Sequence, residues 1–217
     1  MPTITRISEQ KRRPNRRNVY LDGAFAFGVN LNVVARFRLR EGMTLTAEQV
    51  AEIERGEVRQ EAFDHATKLL GQRLHSRAEL AKKLGRREYG TRIVEDVLAD
   101  LERLGYIDDK RFATTKALSA AQHKQHGKRR AALELMKAGV KGDTARRAIE
   151  DVYETHDSMA VARQLAQKKA AALRKLDPLV ARRRLAGMLL RRGFTYDDVR
   201  PVIDEVLGAG DEEGGAA

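Results

Sequence analysis

The fold is decided by residues 76–113, which read SRAELAKKLGRREYGTRIVEDVLADLERLGYIDDKRFA. Ser76 is followed three residues later by Glu79, the arrangement of a capping box, in which two side chains bond free backbone N–H groups at a helix start. A short helix is therefore predicted from Ser76 to about Leu84, with its apolar residues on one face.

A second helix is predicted over residues 92–104, because apolar residues recur there at the spacing of one helical stripe. Gly105 is expected to end this helix, and Asp108 or Asp109 to cap a third one. Helices this short cannot bury their stripes alone, so the segment needs helical neighbours. The stripe of the second helix consists of Ile93, Val94, Val97, Leu98, Leu101 and Leu104.

Two later stretches repeat the apolar positions of this segment. A shift of 51 residues places Leu84 on Leu135, and a further shift of 54 places Leu135 on Leu189 and Gly139 on Gly193. The sequence therefore predicts three tandem helical units of about 50 residues, a period typical of repeat arrays. Further matched positions are Tyr89, Val140 and Phe194; Val97, Ala148 and Val202; Leu98, Ile149 and Ile203; and Leu101, Val152 and Val206.

These elements resemble those of the RecX regulatory proteins of bacteria, over roughly residues 60–207. The most specific element is LGYIDDKRFA at residues 104–113. One departure is GRREYG at residues 85–90, which replaces the family's usual basic-basic-Gly turn and leaves the helix break of the first repeat open. The other matching runs are SRAEL, GKRRAALELMKAGV and LLRRGF.

The resemblance implies a protein that binds the RecA recombinase filament on single-stranded DNA and modulates it. It implies inhibition, for the most part, of the ATPase, strand-exchange and co-protease activities, within DNA recombination, DNA repair and the SOS response. On this interpretation the protein is not an enzyme, needs no cofactor, and is a monomer with RecA and single-stranded or double-stranded DNA as partners.

The predicted fold class is mainly α, with three tandem three-helix repeats in an elongated curved array, preceded by a small β-hairpin-containing N-terminal module. The module is expected to occupy residues 1–58. The repeats are expected at residues 59–107, 108–155 and 156–208, and a disordered tail at residues 209–217.

The N-terminal module is predicted from β-prone runs on both sides of Asp22-Gly23, because Gly tolerates the positive φ of a tight hairpin turn. The basic stretch KRRPNRR at residues 11–17 is predicted to be a loop. It is interpreted either as a solvated connection or as an arm that contacts phosphates or an acidic protein face. Short helices are expected over residues 30–40 and 46–57, and the first repeat is expected to open with a further helix from about Glu61.

Composition restricts the function classes. The chain has 42 Lys+Arg against 31 Asp+Glu, a net charge of +11 that favours an anionic partner. It has no cysteine, which excludes disulfides and Cys-based zinc sites. It has no long apolar run, so we expect a soluble cytoplasmic protein without membrane contact. Only 5% of residues are aromatic and none is Trp, which gives little support to a platform for base stacking.

Catalytic motifs are absent from the sequence, including phosphate-binding loops, the zinc-protease motif and the nucleophile elbow. His123 and His126 are spaced as metal ligands on one helix face, but they are interpreted as solvent-exposed because no carboxylate lies beside them in sequence. Asp108 and Asp109 are interpreted as helix caps and not as a catalytic pair. Aromatic or apolar residues near turns, namely Tyr89, Tyr106, Phe112, Val140 and Phe194, are expected in the core.

The candidate binding residues are three basic clusters at related places in the repeats. Any single member is explained as well by a solvated helix face, whereas the set is expected to line one positive surface. The first cluster is Arg77, Lys82, Lys83, Arg86 and Arg87; the second is Lys124, Lys128, Arg129 and Arg130; the third is Arg182, Arg183, Arg184, Arg191 and Arg192.

Two alternatives remain open at this point. Short basic helices joined by Gly turns also describe a stand-alone DNA-binding protein, which would bind naked DNA tightly with a steep salt dependence. A helical scaffold for another acidic protein is the second alternative, and an enzyme is the least favoured. The sequence also leaves open whether a RecA filament would be coated in its groove or capped at its end, and whether it would be inhibited or stimulated.

Overall fold

The structure, a computed structural model, describes residues 1–208. Its residues form two compact units. Unit 1 contains Met1–His75 and Glu79–Ile107, and unit 2 contains Ser76–Ala78 and the chain from Asp108. The predicted tail at residues 209–217 lies outside the described residues. The elements are β1 (Ile4–Gln10), β2 (Arg13–Leu21), β3 (Ala24–Asn30), α1 (Leu31–Arg36), α2 (Ala47–Leu70), α3 (Arg77–Gly85), α4 (Thr91–Arg103), α5 (Asp109–Gln122), α6 (Lys128–Lys137), α7 (Gly142–Glu154), α8 (Ser158–Leu173), α9 (Pro178–Arg191) and α10 (Tyr196–Leu207).

The predicted fold class is confirmed: an antiparallel sheet at the N-terminus is followed by helices grouped in threes. The sheet has the order β1-β2-β3. Asp22 and Gly23 form the predicted hairpin turn between β2 and β3, with φ of 49° and 87°. These left-handed angles match the right-handed twist of the two strands that the turn joins.

The prediction of a loop at residues 11–17 is wrong, because β2 already begins at Arg13. Pro14 is tolerated in this central strand because the ladder with β1 is irregular there, and the first residue of β2 paired with β3 is Arg16. A proline without a ladder partner forfeits no hydrogen bond. The connection between β1 and β2 is therefore only a tight turn.

One face of the sheet covers the core of the N-terminal module. Ile4, Val19 and Val29 are buried on this face and contact Val33 of α1 and Ile53 of α2. Ile7, Leu21 and Phe27 pack against the same core, and alternation places intervening residues such as Asn18 and Gly28 on the opposite face of the sheet. The N-terminal module therefore has one apolar face and one open face.

The predicted helix over residues 46–57 is confirmed at its start and wrong at its end. Thr46 and Gln49 form a reciprocal capping box, and α2 then continues to Leu70 without a break. The buried Gly56 does not interrupt this helix; it makes room for a ring, since a Cβ there would lie 2.6 Å from Cε2 of Phe37. The expected boundary after residue 58 falls inside α2.

The three-helix groups are α2–α4 in unit 1, and α5–α7 and α8–α10 in unit 2. Leu84, Leu135 and Leu189, the positions matched by the two sequence shifts, are each 0% exposed. They lie on the second helix of each group, and Leu84 and Leu189 each belong to a cluster of buried residues from their own group. The matched leucines of the sequence therefore correspond to the same buried position in each three-helix group.

The second helices of the last two groups end in the same way. At Gly193 the φ is +91°, and the N–H of Phe194 donates to the carbonyl of Leu189 at 3.3 Å. At Gly139 the φ is +80°, and Val140 donates to Leu135 at 3.0 Å. This is the Schellman ending, which satisfies the last carbonyls of a helix and buries the residue after the glycine.

The first repeat departs from this pattern where the sequence does. Glu88 occupies the position equivalent to Gly139 and has a φ of +58°. The helix α3 ends at Gly85, and a longer turn leads to Gly90, which precedes α4 with a φ of +81°. The predicted ends of the two helices in this segment are confirmed to within one residue.

The turn at Gly193 also makes the junction between two repeats in unit 2. The carbonyl of Arg192 accepts the N–H of Gly127 at 2.9 Å, and the carbonyl of Gly193 accepts the N–H of Arg129 at 3.1 Å. A Cβ at Gly193 would lie 2.3 Å from the backbone nitrogen of Arg130. The end of α9 thus contacts the start of α6 backbone to backbone.

An equivalent contact surrounds Gly139 in the same unit. The hydroxyl of Ser76 donates to the carbonyl of Ala138, and a Cβ at Gly139 would lie 2.2 Å from the Cβ of Ala78. Ser76 corresponds to Gly127 in the 51-residue shift, so the two junctions are repeats of one contact. At Gly139 and Gly193, the close approach of a neighbouring segment, more than the geometry of the turn, explains why the residue is glycine.

Two further predictions about the turn after α4 have different outcomes. Asp108 is confirmed as the cap of α5, because its carboxylate accepts the N–H groups of Lys110 and Arg111. Tyr106 is not in the core, as its side chain is 57% exposed, whereas the adjacent Ile107 is buried. The turn at Gly105 directs only one of the two side chains inward.

Replacing Gly193 with Ala should lower the free energy of unfolding by about 2–4 kcal/mol, through overpacking of about 1–3 kcal/mol and a left-handed backbone penalty of about 1 kcal/mol. Gly142→Ala is the matched control, because Gly142 has a φ of +59° but no atom within 4 Å of an added Cβ. Denaturant unfolding followed by circular dichroism measures both. Equal losses would show that the junction contact contributes nothing.

Acidification should destabilise the protein through His75, which is 2% exposed. Burial, and then the charge of Arg73, lower the pKa of His75, against the opposing effect of its hydrogen bond to the carboxylate of Glu79. The unfolded chain therefore takes up a proton more readily, so this contribution to stability is present above about pH 6.5 and lost as the pH falls below it. Between about pH 8 and 5, the melting temperature of His75→Gln should fall less than that of the unaltered protein. An equal fall in both proteins would exclude His75 as a source of the acid sensitivity.

Candidate functional site

The predicted basic residues lie mainly on the second helix of each repeat. Those of the first cluster are on α3 and its following turn, those of the second at the start of α6, and those of the third along α9. Lys124 and Arg192 lie just outside these helices. The expectation that all three clusters share one surface stays a prediction.

In unit 1, part of the first cluster surrounds a histidine on α2. Burial, and then the charges of Arg87, Lys68 and Lys83, lower the pKa of His65. Lys68 was not among the predicted basic residues. It lies beside His65 because it is one turn further along the same helix. Lys82 and Arg86 are also exposed, so this part of unit 1 has a positive surface.

The second cluster divides into paired and exposed members. The ammonium of Lys124 lies 2.7 Å from the carboxylate of Glu134, and that carboxylate lies 3.1 Å from Nδ1 of His126. The interpretation of His126 as solvent-exposed is therefore wrong, because folding brings Glu134 beside it and half-buries the ring. His123 is exposed.

The surroundings of His126 are held by short contacts. The hydroxyl of Tyr153 donates to the carbonyl of His126 at 2.6 Å, and burial raises the pKa of Tyr153 to about 12. Burial by itself raises the pKa of Glu134, but the bond and charge of Lys124 outweigh it and the pKa lies below its ordinary value. Lys124 thus has a structural role.

The exposed members of this cluster are Lys128, Arg129 and Arg130, in the first turn of α6. Cations are disfavoured at a helix start, but the carbonyls at the end of α9 lie against this turn and offset the cost. Among residues 1–208, no carboxylate forms an ion pair with these three side chains. They are therefore available to an anionic partner.

The third cluster divides in the same way. Arg182 bonds the carboxylate of Asp204 and the carbonyl of Gly208, so it joins α9 to the end of α10. Arg192 donates to the carbonyl of Lys124 at 3.2 Å. Both are half-buried and engaged in internal contacts, and their predicted role in binding stays a prediction.

The remaining arginines line a groove of about 490 Å³ beside α8 and α9. Arg183, Arg184 and Arg191 are exposed there together with Lys169, over an apolar floor that includes Met188. In the part of the chain that the structure describes, none of these four cations has an ion pair. The sequence reasoning missed Lys169, which lies on the preceding helix.

A glycine shapes this groove. A Cβ at Gly187 would lie 3.1 Å from Nη1 of Arg191, so the absent side chain lets this guanidinium lie back along α9. A glycine inside a helix costs about 1 kcal/mol relative to alanine. The geometry offers a reason for it, since it keeps three guanidinium groups along one stretch of helix.

The repeat relationship matches basic positions of α6 and α9. The 54-residue shift places Arg129 on Arg183, Arg130 on Arg184, and Lys137 on Arg191. All six side chains are exposed. Lys137 was not among the predicted residues, although the shift identifies it. Unit 2 therefore presents the same pattern of cations twice.

Other chemistry is not assembled in the described part of the chain. Residues 1–208 contain no group of three or more His, Asp or Glu side chains placed to hold a metal ion. Within the same range, no helix is sufficiently long and apolar to span a bilayer. Asp109 accepts the N–H of Arg77 at 2.8 Å, so both members of the Asp108-Asp109 pair bond backbone groups.

Arg182→Ala should lower the free energy of unfolding by about 1 kcal/mol through loss of the partly exposed pair with Asp204, with little change in retention on heparin. Its neighbour Arg183→Ala should do the opposite, leaving stability within about 0.5 kcal/mol while eluting from heparin at lower salt. Denaturant unfolding and heparin chromatography separate the two roles. Reduced retention of Arg182→Ala at unchanged stability would return Arg182 to the binding surface.

Comparison with known families gives three matches along the chain. Residues 2–46 match the regulatory protein RecX N-terminal domain, residues 62–101 match the first three-helix domain of RecX, and residues 156–203 match the third. The matches cover the sheet module and both a first and a last three-helix group.

Curated relatives and solved structures agree with these matches. Regulatory protein RecX of Leuconostoc mesenteroides is 30% identical over 98% of this chain and 79% of its own length. That of Bacillus subtilis is 29% identical over 98% and 80%, and that of Pelodictyon phaeoclathratiforme is 33% identical over 70% and 94%.

In fold, a crystal structure of regulatory protein RecX matches 94% of this chain and 100% of its own at a TM-score of 0.77 and 24% identity. RecX from Lactobacillus salivarius matches 70% of this chain and 97% of its own at a TM-score of 0.61 and 21% identity.

Proposed function

Because the chain belongs to the RecX family of regulatory proteins, we propose that it binds the RecA recombinase filament on single-stranded DNA and modulates its activity. The modulation is mostly inhibition of the ATPase, strand-exchange and co-protease activities, in recombinational repair and the SOS response. The protein acts in the cytoplasm as a monomeric regulator and has no catalytic reaction of its own.

The observation that carries this proposal is the matched pattern of unpaired cations on α6 and α9. Arg129 and Arg130 recur as Arg183 and Arg184, one repeat later in the same unit. A regular array of cations suits a partner whose anionic groups also recur at intervals, as they do along a filament of identical subunits on DNA. Two matched sites also strengthen binding through effective concentration.

The mechanism follows from where the cations lie. They are on exposed faces of second helices, whose buried faces hold the repeats together, so a partner can bind without unfolding a repeat. Contact with two neighbouring filament subunits would bridge them, and contact with phosphates would compete with the recombinase for DNA. Either action restrains a filament that must move during hydrolysis and exchange.

Titrating the protein into the cognate RecA on single-stranded DNA should suppress steady-state ATPase at concentrations well below those that saturate bare DNA. Charge reversal in the double variants Arg129→Glu/Arg130→Glu and Arg183→Glu/Arg184→Glu should raise the concentration for half-inhibition roughly tenfold or more, because two attractive contacts become repulsive. Circular dichroism verifies that each variant retains its helices.

The matched control is Lys110→Glu/Arg147→Glu, which changes the charge equally at a groove between α5 and α7. This variant should inhibit like the unaltered protein. Unimpaired inhibition by both arginine variants would overturn the role of the matched cations.

The same cations favour a second candidate, a DNA-binding protein that acts without RecA. Helices with exposed Arg and Lys neutralise phosphates of naked DNA, and such binding weakens steeply as salt is raised. If ATPase suppression appears only when the protein coats the DNA, this second function is correct.

A further inference from the structure

The open face of the N-terminal sheet carries a row of side chains that the proposed function does not use. Arg6 on β1, Tyr20 on β2 and Phe25 on β3 are paired across the three strands and point away from the core. The next row, Ile7, Val19 and Phe27, lies on the core side. A bulge in the ladder between Val19 and Tyr20 lets Phe25 and Phe27, two residues apart, lie on opposite faces.

Tyr20, in the middle of this row, contacts both of its neighbours. The rings of Tyr20 and Phe25 meet edge to face, with centroids 6.0 Å apart and planes at 78°. The guanidinium carbon of Arg6 lies 5.5 Å from the centre of the Tyr20 ring. Phe25 is nevertheless 60% exposed, so much of its surface is open to a further planar group.

The next row on the same face is made of small or polar residues. It consists of Ser8, Asn18 and Gly28, and the amide of Gln10 donates to Asn18 at 2.7 Å. A Cβ at Gly28 would lie 2.8 Å from the Gln10 amide nitrogen, so the glycine leaves room for that amide to lie over the sheet. Hydrogen-bonding groups thus adjoin the aromatic row.

The basic turn between β1 and β2 lies at the far end of this face. The structure divides the stretch KRRPNRR into two parts. Arg16 pairs with Glu57 at 2.7 Å, and Arg17 donates to the carbonyl of Pro14 at 2.6 Å. Lys11, Arg12 and Arg13 are exposed, and none has an ion pair among residues 1–208.

We propose that this open face is a binding site for single-stranded nucleic acid. A base stacks on Phe25 against Tyr20 and Arg6, and polar base edges meet the amides of Asn18 and Gln10. Phosphates then run toward the basic turn. Along β2, Tyr20 in the aromatic row and Arg13 at the basic turn are seven residues apart. This corresponds to about 23 Å, a length that several nucleotides span.

Physical chemistry favours this occupant over others. Exposed aromatic side chains on a sheet, next to Arg and amides, are the arrangement with which sheets bind unpaired bases. A duplex hides its base faces by stacking and would gain only the phosphate contacts. An acidic protein segment would also use the cations, but it would leave the exposed ring without a planar partner.

The test measures binding of a short fluorescein-labelled thymidine oligonucleotide to the full chain, without RecA. Phe25→Ala should weaken single-strand binding by about 5- to 150-fold, since stacking on one ring is worth that much per base. For Phe25→Ala, the slope of log affinity against log salt concentration should stay unchanged, because no phosphate contact is lost. Lys11→Ala/Arg12→Ala/Arg13→Ala should instead lower the slope by roughly 0.7 for each phosphate contact removed.

The matched control is Leu179→Ala, which removes an apolar side chain that is 76% exposed on α9. It should bind like the unaltered protein. Photocrosslinking with an iodouracil-substituted oligonucleotide should attach the probe to Tyr20 or Phe25, which separates this site from the cations of the repeats.

Crosslinks confined to the helical repeats would overturn the proposal, and so would equal loss of single-strand and duplex binding in Phe25→Ala. Capture of a poly-glutamate peptide that Phe25→Ala does not weaken, with no oligonucleotide binding at this face, would assign the face to an acidic protein. These outcomes are independent of ATPase inhibition, which is measured with RecA and on other residues.

Discussion

The close approach of two backbones at Gly193 is the constraint on which unit 2 depends. A helix leaves carbonyls unsatisfied at its end and N–H groups unsatisfied at its start. Here the carbonyls that follow α9 accept N–H groups that begin α6, so each end satisfies the other. The bonds form only if no side chain separates the two backbones, and the left-handed turn after α9 adds the same requirement. Gly139 meets an equivalent contact from residues 76–78.

This junction also determines which basic residues remain available. It places the end of α9 against the first turn of α6, where three cations benefit from the neighbouring carbonyls and still reach solvent. Nearby cations form ion pairs within the protein: Lys124 pairs with Glu134, and Arg182 pairs with Asp204. The candidate surface is therefore narrower than the basic clusters of the sequence. It retains the positions that recur between repeats and gains Lys137 and Lys169.

Local rules predicted the helix boundaries and caps because they depend on neighbours in the chain. Thr46 and Asp108 bond N–H groups two or three residues away, and Asp22-Gly23 forms a turn whose geometry is local. The predictions failed where distant residues decide. Pro14 stands in a strand because the ladder has a gap there, and Gly56 stays helical because Phe37 fills the space above it. His126 is half-buried because Glu134, one helix later, lies beside it.

By itself, the sequence determined the mainly helical class, the number of repeats, their apolar positions and the excess of positive charge. These follow from spacing and composition, which the chain carries without reference to its fold. Only the tertiary structure decided which cations are paired, because an ion pair depends on distance between residues far apart in sequence. It also decided that two of the few aromatic residues, Tyr20 and Phe25, contact each other beside Arg6 on one open sheet face. Composition counts aromatic residues over the whole chain, whereas strand register concentrates them in one place.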